Sequence, residues 1–376
     1  MAMRGMHSSE QFPLFRERGC ELRALVPVEW APPLPRASWR SRRRFPRVEH
    51  DHGVAIEHPR YLSLGRLLRL PGGPAVQRSL YRRALAREVA GFVASGGDVV
   101  HIHSCSLPGA VIPHLGSAKL VVSMHDHELA STVPNDRAWR SPIARTLRRA
   151  DSVVYVSEAL HTMGRSLIGP HASVVIPLAI NDYSDLLPRP AGTFTVVTAA
   201  RLVPGKRIDL LIDAFARVRA SVPDARLVVV GDGPERRRLE QRAADQGVAR
   251  SVDFMGFLPN RAVRELMARA HLFVLPSAPE SLGTVYFEAM SVGVPVVGVR
   301  GQGISGHLTD GVDGFLVDAG DVDALWRIML EMHGQPARRL EMGARAYALF
   351  ERSGVRWRDY VASHVALYER LVGAEA

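Results

Sequence analysis

The chain has 376 residues, of which 47% are hydrophobic, and this length predicts two domains rather than one core. No apolar run approaches the ~18 residues that span a bilayer, and residues 1–9 lack the apolar segment of a secretory signal. The two cysteines, Cys20 and Cys105, exclude a disulfide framework and favour a reducing, cytoplasmic compartment.

The net charge of +10 is concentrated in the first half of the chain. Residues 1–190 carry 25 basic against 16 acidic side chains, whereas residues 191–376 carry 23 against 22. Arginines cluster within residues 36–47 and 78–87. Such patches attract anionic lipid or nucleic acid, and no nucleic-acid motif accompanies them. We therefore expect an anionic membrane surface or acceptor as partner and no nucleic acid; a solvated face is the alternative.

The first half predicts a helix over 9–18 and a strand over 22–28, followed by an irregular segment over 29–75. A helix over 80–94 and strands over 98–103 and 119–124 come next, and a basic helix over 141–149 precedes strands over 152–156 and 174–177. Ligands bind at the carboxyl ends of such strands, which makes His103 and His125 candidates. A metal site at His125-Asp126-His127-Glu128 is a less favoured alternative, and His103 is more often structural at a strand end.

The second half alternates strands and helices after a linker over 178–192. Strands are predicted over 194–199, 226–230, 252–255, 272–275, 294–298 and 314–317, and a last amphipathic helix over 357–371. This alternation predicts a parallel sheet covered by helices on both faces.

Two loops of the second half carry chemistry. Arg201 and Lys206 lie between a strand and a helix, where two cations suit a diphosphate. Only two of the 48 basic residues are lysines, so Lys206 is unusual, although surface cations are the alternative. Glu280 lies in a later loop and Glu288 on the helix that follows, so their carboxylates can accept hydrogen bonds from sugar or ribose hydroxyls. Solvated charges are again the alternative.

The spacing of Glu280 and Glu288, with Ala289-Met290 and Gly293-Val294-Pro295 after them, resembles the E-x7-E signature of retaining glycosyltransferases of family 4 (glycosyl transferases group 1). Arg201 and Lys206 resemble that family's Arg-x4-Lys pair. The resemblance covers about residues 10–370 and is strongest over 196–325. Arg207 stands where relatives often carry glycine, and the family's first strand and most of its loop are expected to be missing before Gly5.

The resemblance implies an α/β fold of two Rossmann-like doubly wound domains, the GT-B fold, with a ligand cleft between them. The implied bounds are 1–185 for the acceptor side, 191–355 for the donor side, and 356–376 for a helix that crosses back. The implied catalytic residues are Arg201, Lys206, Glu280 and His125. The implied donor-binding residues are Glu288, Gly231, Gly233, Phe257, Ser281, Leu282, Gly283 and Thr284.

The implied activity is metal-independent, cofactor-free transfer of a sugar, with retention, from a UDP- or GDP-linked donor. The expected acceptor is a glycan or lipid-linked hydroxyl in polysaccharide and cell-envelope biosynthesis, at the inner face of the plasma membrane. Two alternatives stay open: a catalytically degenerate nucleotide-sugar-binding protein, and a nucleotide-sugar epimerase or phosphorylase on a similar fold.

Overall fold

A computed structural model of the chain describes residues 10–26, 28–30, 46–62, 73–103, 112–125, 137–181, 185–186, 190 and 192–373. It divides into two compact units. The first contains the residues up to Tyr155, Met163–Ile176 and the C-terminal segment from Trp357, and the second contains Val156–Thr162 and Pro177–Arg356.

Between Thr195 and Val299 the strands and helices alternate along the chain as the sequence predicts. The helices are α1 Gln11–Glu17, α2 Gly73–Ala94, α3 Arg137–Arg149, α4 Glu158–Ile168, α5 Ile208–Ser221, α6 Arg236–Asp245, α7 Asn260–Arg269, α8 Thr284–Met290, α9 Val322–Gly334, α10 Pro336–Arg352 and α11 Trp357–Gly373. The strands are β1 Arg23–Leu25, β2 Val28–Trp30, β3 Val48–Asp51, β4 Val54–Glu57, β5 Arg60–Leu62, β6 Val99–Ile102, β7 Lys119–Met124, β8 Ser152–Tyr155, β9 Ser173–Val175, β10 Thr195–Ala199, β11 Arg226–Val230, β12 Val252–Gly256, β13 Leu272–Val274, β14 Val296–Val299 and β15 Phe315–Val317.

The first unit is built on a parallel sheet in the order β6-β7-β8-β9. Its two central strands, β7 and β8, are rich in apolar residues and buried over almost their whole length, as in strands covered on both faces, and Val121 and Val153 are fully buried. The C-terminal helix α11 packs against α1 in this unit. The aromatic ring of Phe15 in α1 stacks on the ring of Tyr368 in α11, with the ring centroids 6.2 Å apart.

The prediction that residues 29–75 are irregular is wrong for residues 29–30, 46–62 and 73–75, which contain strands, a hairpin turn and the start of α2. Within residues 46–62, β3 and β4 form an antiparallel hairpin, and β4 also pairs in parallel with β1. Its two-residue loop, His52-Gly53, has both φ angles positive, at 48° and 76°, as the tight turns that join twisted antiparallel strands require. The exposed side chains of β3 gave no hydrophobic pattern from which this strand could be predicted.

The second unit is built on a six-stranded sheet in the order β12-β11-β10-β13-β14-β15, with every pairing parallel. The chain runs outward from β10 through β11 to β12, then returns to the other side of β10 for β13. The strand order therefore reverses between β10 and β13, which makes the carboxyl ends of these strands the topological switch point of the sheet. The apolar stripe of α5, which includes Ile208, Leu211 and Phe215, is buried.

No helix in the described part of the chain is long and apolar enough to cross a membrane.

Candidate functional site

The two loops predicted to carry chemistry follow the two strands at the switch point. The loop of Arg201 and Lys206 comes directly after β10, and the loop of Glu280 follows β13, its hydrogen-bonded neighbour. A backbone hydrogen bond of 3.0 Å from Ala278 N–H to the Gly205 carbonyl joins the loops. The crevice outside the carboxyl ends of strands at such a point is where ligands bind in sheets of this kind.

Lys206 and Glu280 form the central ion pair of these loops. The ammonium Nζ lies 2.5 Å from the Glu280 carboxylate Oε2. The side chains are 23% and 9% exposed, respectively, so the pair is largely removed from water and is stronger than an exposed pair. The structure thus brings together two of the four predicted catalytic residues, at a distance that the spacing in the sequence did not indicate.

Gln302 fixes the backbone of the Glu280 loop, and the sequence reasoning assigned it no role. Its side-chain oxygen accepts a 2.7 Å hydrogen bond from the Glu280 N–H, while Gly303 N–H donates to the Glu280 carbonyl at 3.0 Å. A Cβ on Gly303 would lie 2.2 Å from the Ser281 carbonyl oxygen, so only glycine permits this approach. The loop after β14 therefore fixes the backbone of Glu280 through hydrogen bonds to both its N–H and its carbonyl.

Gly231 and Gly233 allow the loop after β11 to lie against the loop after β10. A Cβ on Gly231, whose φ is +115°, would lie 1.9 Å from the Ala200 carbonyl oxygen, and one on Gly233 would lie 2.3 Å from the Leu202 carbonyl oxygen. Leu202 N–H donates at 3.0 Å to the carbonyl of Asp232 between them. These glycines have a packing role in the structure, and their predicted donor contact stays a prediction.

The predicted segment from Ser281 to Thr284 leads into α8. Leu282 is buried, so its side chain belongs to the core and only its backbone is offered to a ligand. Gly283 has φ +74° and precedes the first helical residue, Thr284. The Ser281 carbonyl accepts a hydrogen bond from the Ser157 hydroxyl. The role of this segment in donor binding, which the family resemblance implies, stays a prediction.

Glu288, about one turn into α8, pairs with Arg264 of α7. The Arg264 Nη1 faces the Glu288 Oε2, and the two side chains are 1% and 23% exposed, respectively. The sequence reasoning missed Arg264, although a signal existed. Val263, Arg264, Met267 and Ala268 form the buried face of α7, so helical periodicity alone puts an arginine among apolar positions.

Three further residues near these loops differ in exposure and geometry. The Arg201 side chain is exposed and makes no ion pair with any residue that the structure describes. Phe257, beside the positive-φ Gly256, is 75% exposed. Arg207 adopts the left-handed conformation, with φ 50° and ψ 37°. The turn thus keeps the backbone shape that favours glycine, and an arginine bears the strain.

Tyr286 of α8 supports the same strands from inside the core. Its hydroxyl donates a 2.6 Å hydrogen bond to the Leu275 carbonyl, at the end of β13. Burial, with a smaller contribution from the Glu280 carboxylate, raises the pKa of this hydroxyl well above its ordinary value. Tyr286 is therefore a neutral structural donor.

His125 belongs to a histidine cluster at the carboxyl ends of β6 and β7, within the first unit. Its Nε2 lies 2.9 Å from the Nδ1 of His103. His103 in turn stacks on His101 with ring centroids 4.1 Å apart, and His101 Nδ1 lies 2.6 Å from the Tyr368 hydroxyl. His103 thus contacts the predicted catalytic histidine directly. Residues 126–128 of the alternative metal site lie outside the described residues.

Comparison with known proteins assigns the family. Residues 143–349 match the family model of glycosyl transferases group 1, and residues 15–182 match that of glycosyltransferase family 4. The chain belongs to the group 1 glycosyl transferases. The family prediction drawn from the two glutamates and from Arg201 and Lys206 is confirmed.

Curated relatives of this glycosyl transferase are about one third identical to it over the aligned part of the chains. A GDP-mannose-dependent alpha-(1-6)-phosphatidylinositol monomannoside mannosyltransferase of Mycolicibacterium smegmatis is 34% identical over 63% of this chain and 67% of its own. A GDP-mannose-dependent monoacylated alpha-(1-6)-phosphatidylinositol monomannoside mannosyltransferase of Corynebacterium glutamicum is 31% identical over 63% of this chain and 66% of its own. A 2-deoxystreptamine N-acetyl-D-glucosaminyltransferase of Streptomyces fradiae is 32% identical over 61% of each chain. The chain matches about two thirds of the length of these relatives.

Solved structures confirm the fold class. A sucrose-phosphate synthase from Thermosynechococcus elongatus superposes with a TM-score of 0.77 at 20% identity, covering 97% of this chain and 92% of its own. The Anabaena protein Alr3699/HepE in complex with UDP superposes with a TM-score of 0.70 at 20% identity, covering 92% and 100%. The prediction of two Rossmann-like α/β domains of the GT-B type is confirmed.

Proposed function

We propose that the protein is a retaining glycosyltransferase that moves a sugar from a nucleotide-diphosphate sugar to a hydroxyl of a glycan or glycolipid acceptor in cell-envelope biosynthesis. The observation that carries the proposal is the Lys206–Glu280 pair at the switch point, 2.5 Å from Nζ to Oε2. It combines a cation for a diphosphate with a carboxylate for sugar hydroxyls. The named relatives are glycosyltransferases, which favours this proposal over an epimerase.

The proposed reaction breaks the bond between the anomeric carbon and the diphosphate oxygen and forms a bond from that carbon to the acceptor oxygen on the same face. The acceptor proton passes to the leaving diphosphate, so the products are a glycoside and a nucleoside diphosphate. Negative charge grows on the leaving group, and Arg201, Lys206 and the N–H groups at the start of α8 stabilise it. Glu280 holds sugar hydroxyls, Glu288 holds the ribose, and His125 orients the sugar.

GDP-mannose is the first donor to test, with UDP-linked sugars next. Two of the named relatives are GDP-mannose-dependent enzymes that act on phosphatidylinositol mannosides. A lipid-linked acceptor would bring the enzyme to a membrane surface, and the excess of basic residues over 1–190 suits an anionic one. We propose a peripheral position at the inner face of the plasma membrane.

The first experiment is ligand-dependent thermal stabilisation with GDP, UDP and ADP. A nucleotide at 100 times its Kd adds about 2.7 kcal/mol. Lys206→Ala removes this shift, whereas Lys119→Ala, which changes the other lysine of the chain, keeps it. A wild-type protein that no nucleotide stabilises would refute the proposal. Binding without transfer from any GDP- or UDP-linked sugar would favour the degenerate binding protein instead.

The stereochemistry of the product tests the reaction itself. Proton NMR of the first product formed from an α-linked donor reports the anomeric configuration, and an α-linked product supports retention. A β-linked product would contradict the proposed same-face mechanism.

A further inference from the structure

Arg264 is an arginine in an apolar environment. Its side chain, 1% exposed, is among the largest that are fully buried. Arginine stays protonated under all ordinary conditions, so its charge is buried with it. A buried charge costs free energy unless a counter-charge and hydrogen bonds compensate it.

The carboxylate that meets this charge is Glu288, the second glutamate of the family signature. The Nη1 of Arg264 contacts the Oε2 of Glu288, and a fifth of the Glu288 side chain remains exposed. A carboxylate has two oxygens with several acceptor sites. Glu288 can therefore accept from Arg264 at one oxygen and from a ligand hydroxyl at the other.

Each of the two signature glutamates thus forms an ion pair with a basic side chain. Glu280 pairs with Lys206 and Glu288 pairs with Arg264, and none of these four side chains is more than 23% exposed. Replacing a buried ion pair by apolar residues is often neutral or stabilising, so packing alone does not account for an arginine at this position. Fixing the rotamer of Glu288 does account for it.

We propose that Arg264 is a positioning residue for ribose recognition: it holds the Glu288 carboxylate oriented toward the ribose hydroxyls of the nucleotide. This inference rests on the proposed function and adds to it a residue outside the signature. Arg264 acts through Glu288 and does not itself touch the ligand. Its loss removes the preference for ribose while leaving the recognition of diphosphate in place.

The test compares the affinity of GDP with that of 2′,3′-dideoxy-GDP, by isothermal titration of the full chain. Hydrogen bonds to a charged group are worth enough for the wild type to bind GDP about 10- to 100-fold more tightly. In Arg264→Met this ratio falls to about threefold or less, while the dideoxy ligand binds about as well as it does to the wild type. Arg264→Lys, which keeps the charge, retains most of the ratio.

Arg261→Met is the matched control, because Arg261 lies one turn earlier on α7 and is exposed. It leaves the ratio unchanged. If Arg264→Met does not fold, Arg264→Gln, which removes the charge and keeps a polar side chain, carries the same comparison. A folded neutral variant with the wild-type ratio would overturn the inference and leave the proposed function standing. A wild-type protein that binds neither GDP nor UDP would overturn the proposed function, and the inference with it.

Discussion

Replacing Lys206 by Met tests how strongly the loops of the switch point depend on its ion pair with Glu280. The variant leaves a carboxylate that is only 9% exposed without the ammonium 2.5 Å away. Breaking a fully buried pair costs about 3–5 kcal/mol, and breaking an exposed one costs about 0–1 kcal/mol. Because Lys206 is 23% exposed, we expect a loss of about 2–3 kcal/mol in the second unit.

Hydrogen exchange followed by mass spectrometry measures this loss locally, so a two-state transition of the whole chain is not required. Peptides that cover β10 and β13 should lose protection by a factor of about 30 to 150 in Lys206→Met. Lys206→Met combined with Glu280→Gln removes both charges and should recover at least half of the lost free energy. Lys119→Met serves as the control and should leave these peptides unchanged.

Nucleotide binding separates the structural effect from the functional one. The double variant regains stability but lacks the cation for the diphosphate, so it should bind GDP or UDP no better than the single variant does. Protection in Lys206→Met within 0.5 kcal/mol of wild type would refute the reasoning. So would a double variant as unstable as the single one, because the cost would then come from lost packing and not from an unpaired carboxylate.

Three other changes have defined outcomes. Burial, followed by the charges of Arg339 and His333, lowers the pKa of His271 from 6.5 to about 4; between these pH values the unfolded chain binds the extra proton, so stability falls as pH drops through that window. His271→Asn keeps an acceptor for the Thr195 N–H, which now lies 3.1 Å from Nδ1. Urea denaturation should show that the variant loses less free energy of unfolding between pH 7.5 and pH 5 than the wild type does. An equal loss in both proteins would contradict this. Arg207→Gly should relieve the left-handed strain and raise stability by about 1 kcal/mol, seen as a higher Tm; a lower Tm would argue against strain. His103→Leu should reduce kcat about tenfold with the donor KM unchanged, His103→Asn should restore much of it, and His171→Leu serves as the control.

The sequence predicted strands best where an apolar run has clear ends. The bounds of β7 and β11 agree with the prediction to the residue, because both runs are buried and are bounded by turn residues or polar side chains. The hairpin of β3 and β4 was missed for the opposite reason. Each of its strands has only four residues and β3 is polar and exposed, and its turn uses His52 where asparagine or aspartate would have signalled a tight loop.

The candidate site was predictable as a set of loops but not as a set of contacts. The motif residues can be read directly from the sequence, and they mark the loops after β10 and β13 as the candidate site. These residues are Arg201, Lys206 and the two signature glutamates. Their partners are distant in the sequence. Gln302, in the loop after β14, is 22 residues from Glu280, and Arg264, on α7, is 24 residues from Glu288. Their roles depend on the packing of α7 and of the loop after β14 against α8 and β13, which no local pattern determines.

The ion pairs also resolve a conflict within the proposed site. Two carboxylates beside a diphosphate would repel it, and each is within contact of a cation that neutralises it. In the proposed function, the attraction for the diphosphate rests on Arg201, which is exposed, and on Lys206, whose ammonium has three donors and gives one to Glu280. Lys206 can therefore bind a phosphate oxygen without leaving the carboxylate. Because the pair already fixes both side chains before a ligand arrives, less conformational entropy is lost on binding than for two mobile side chains.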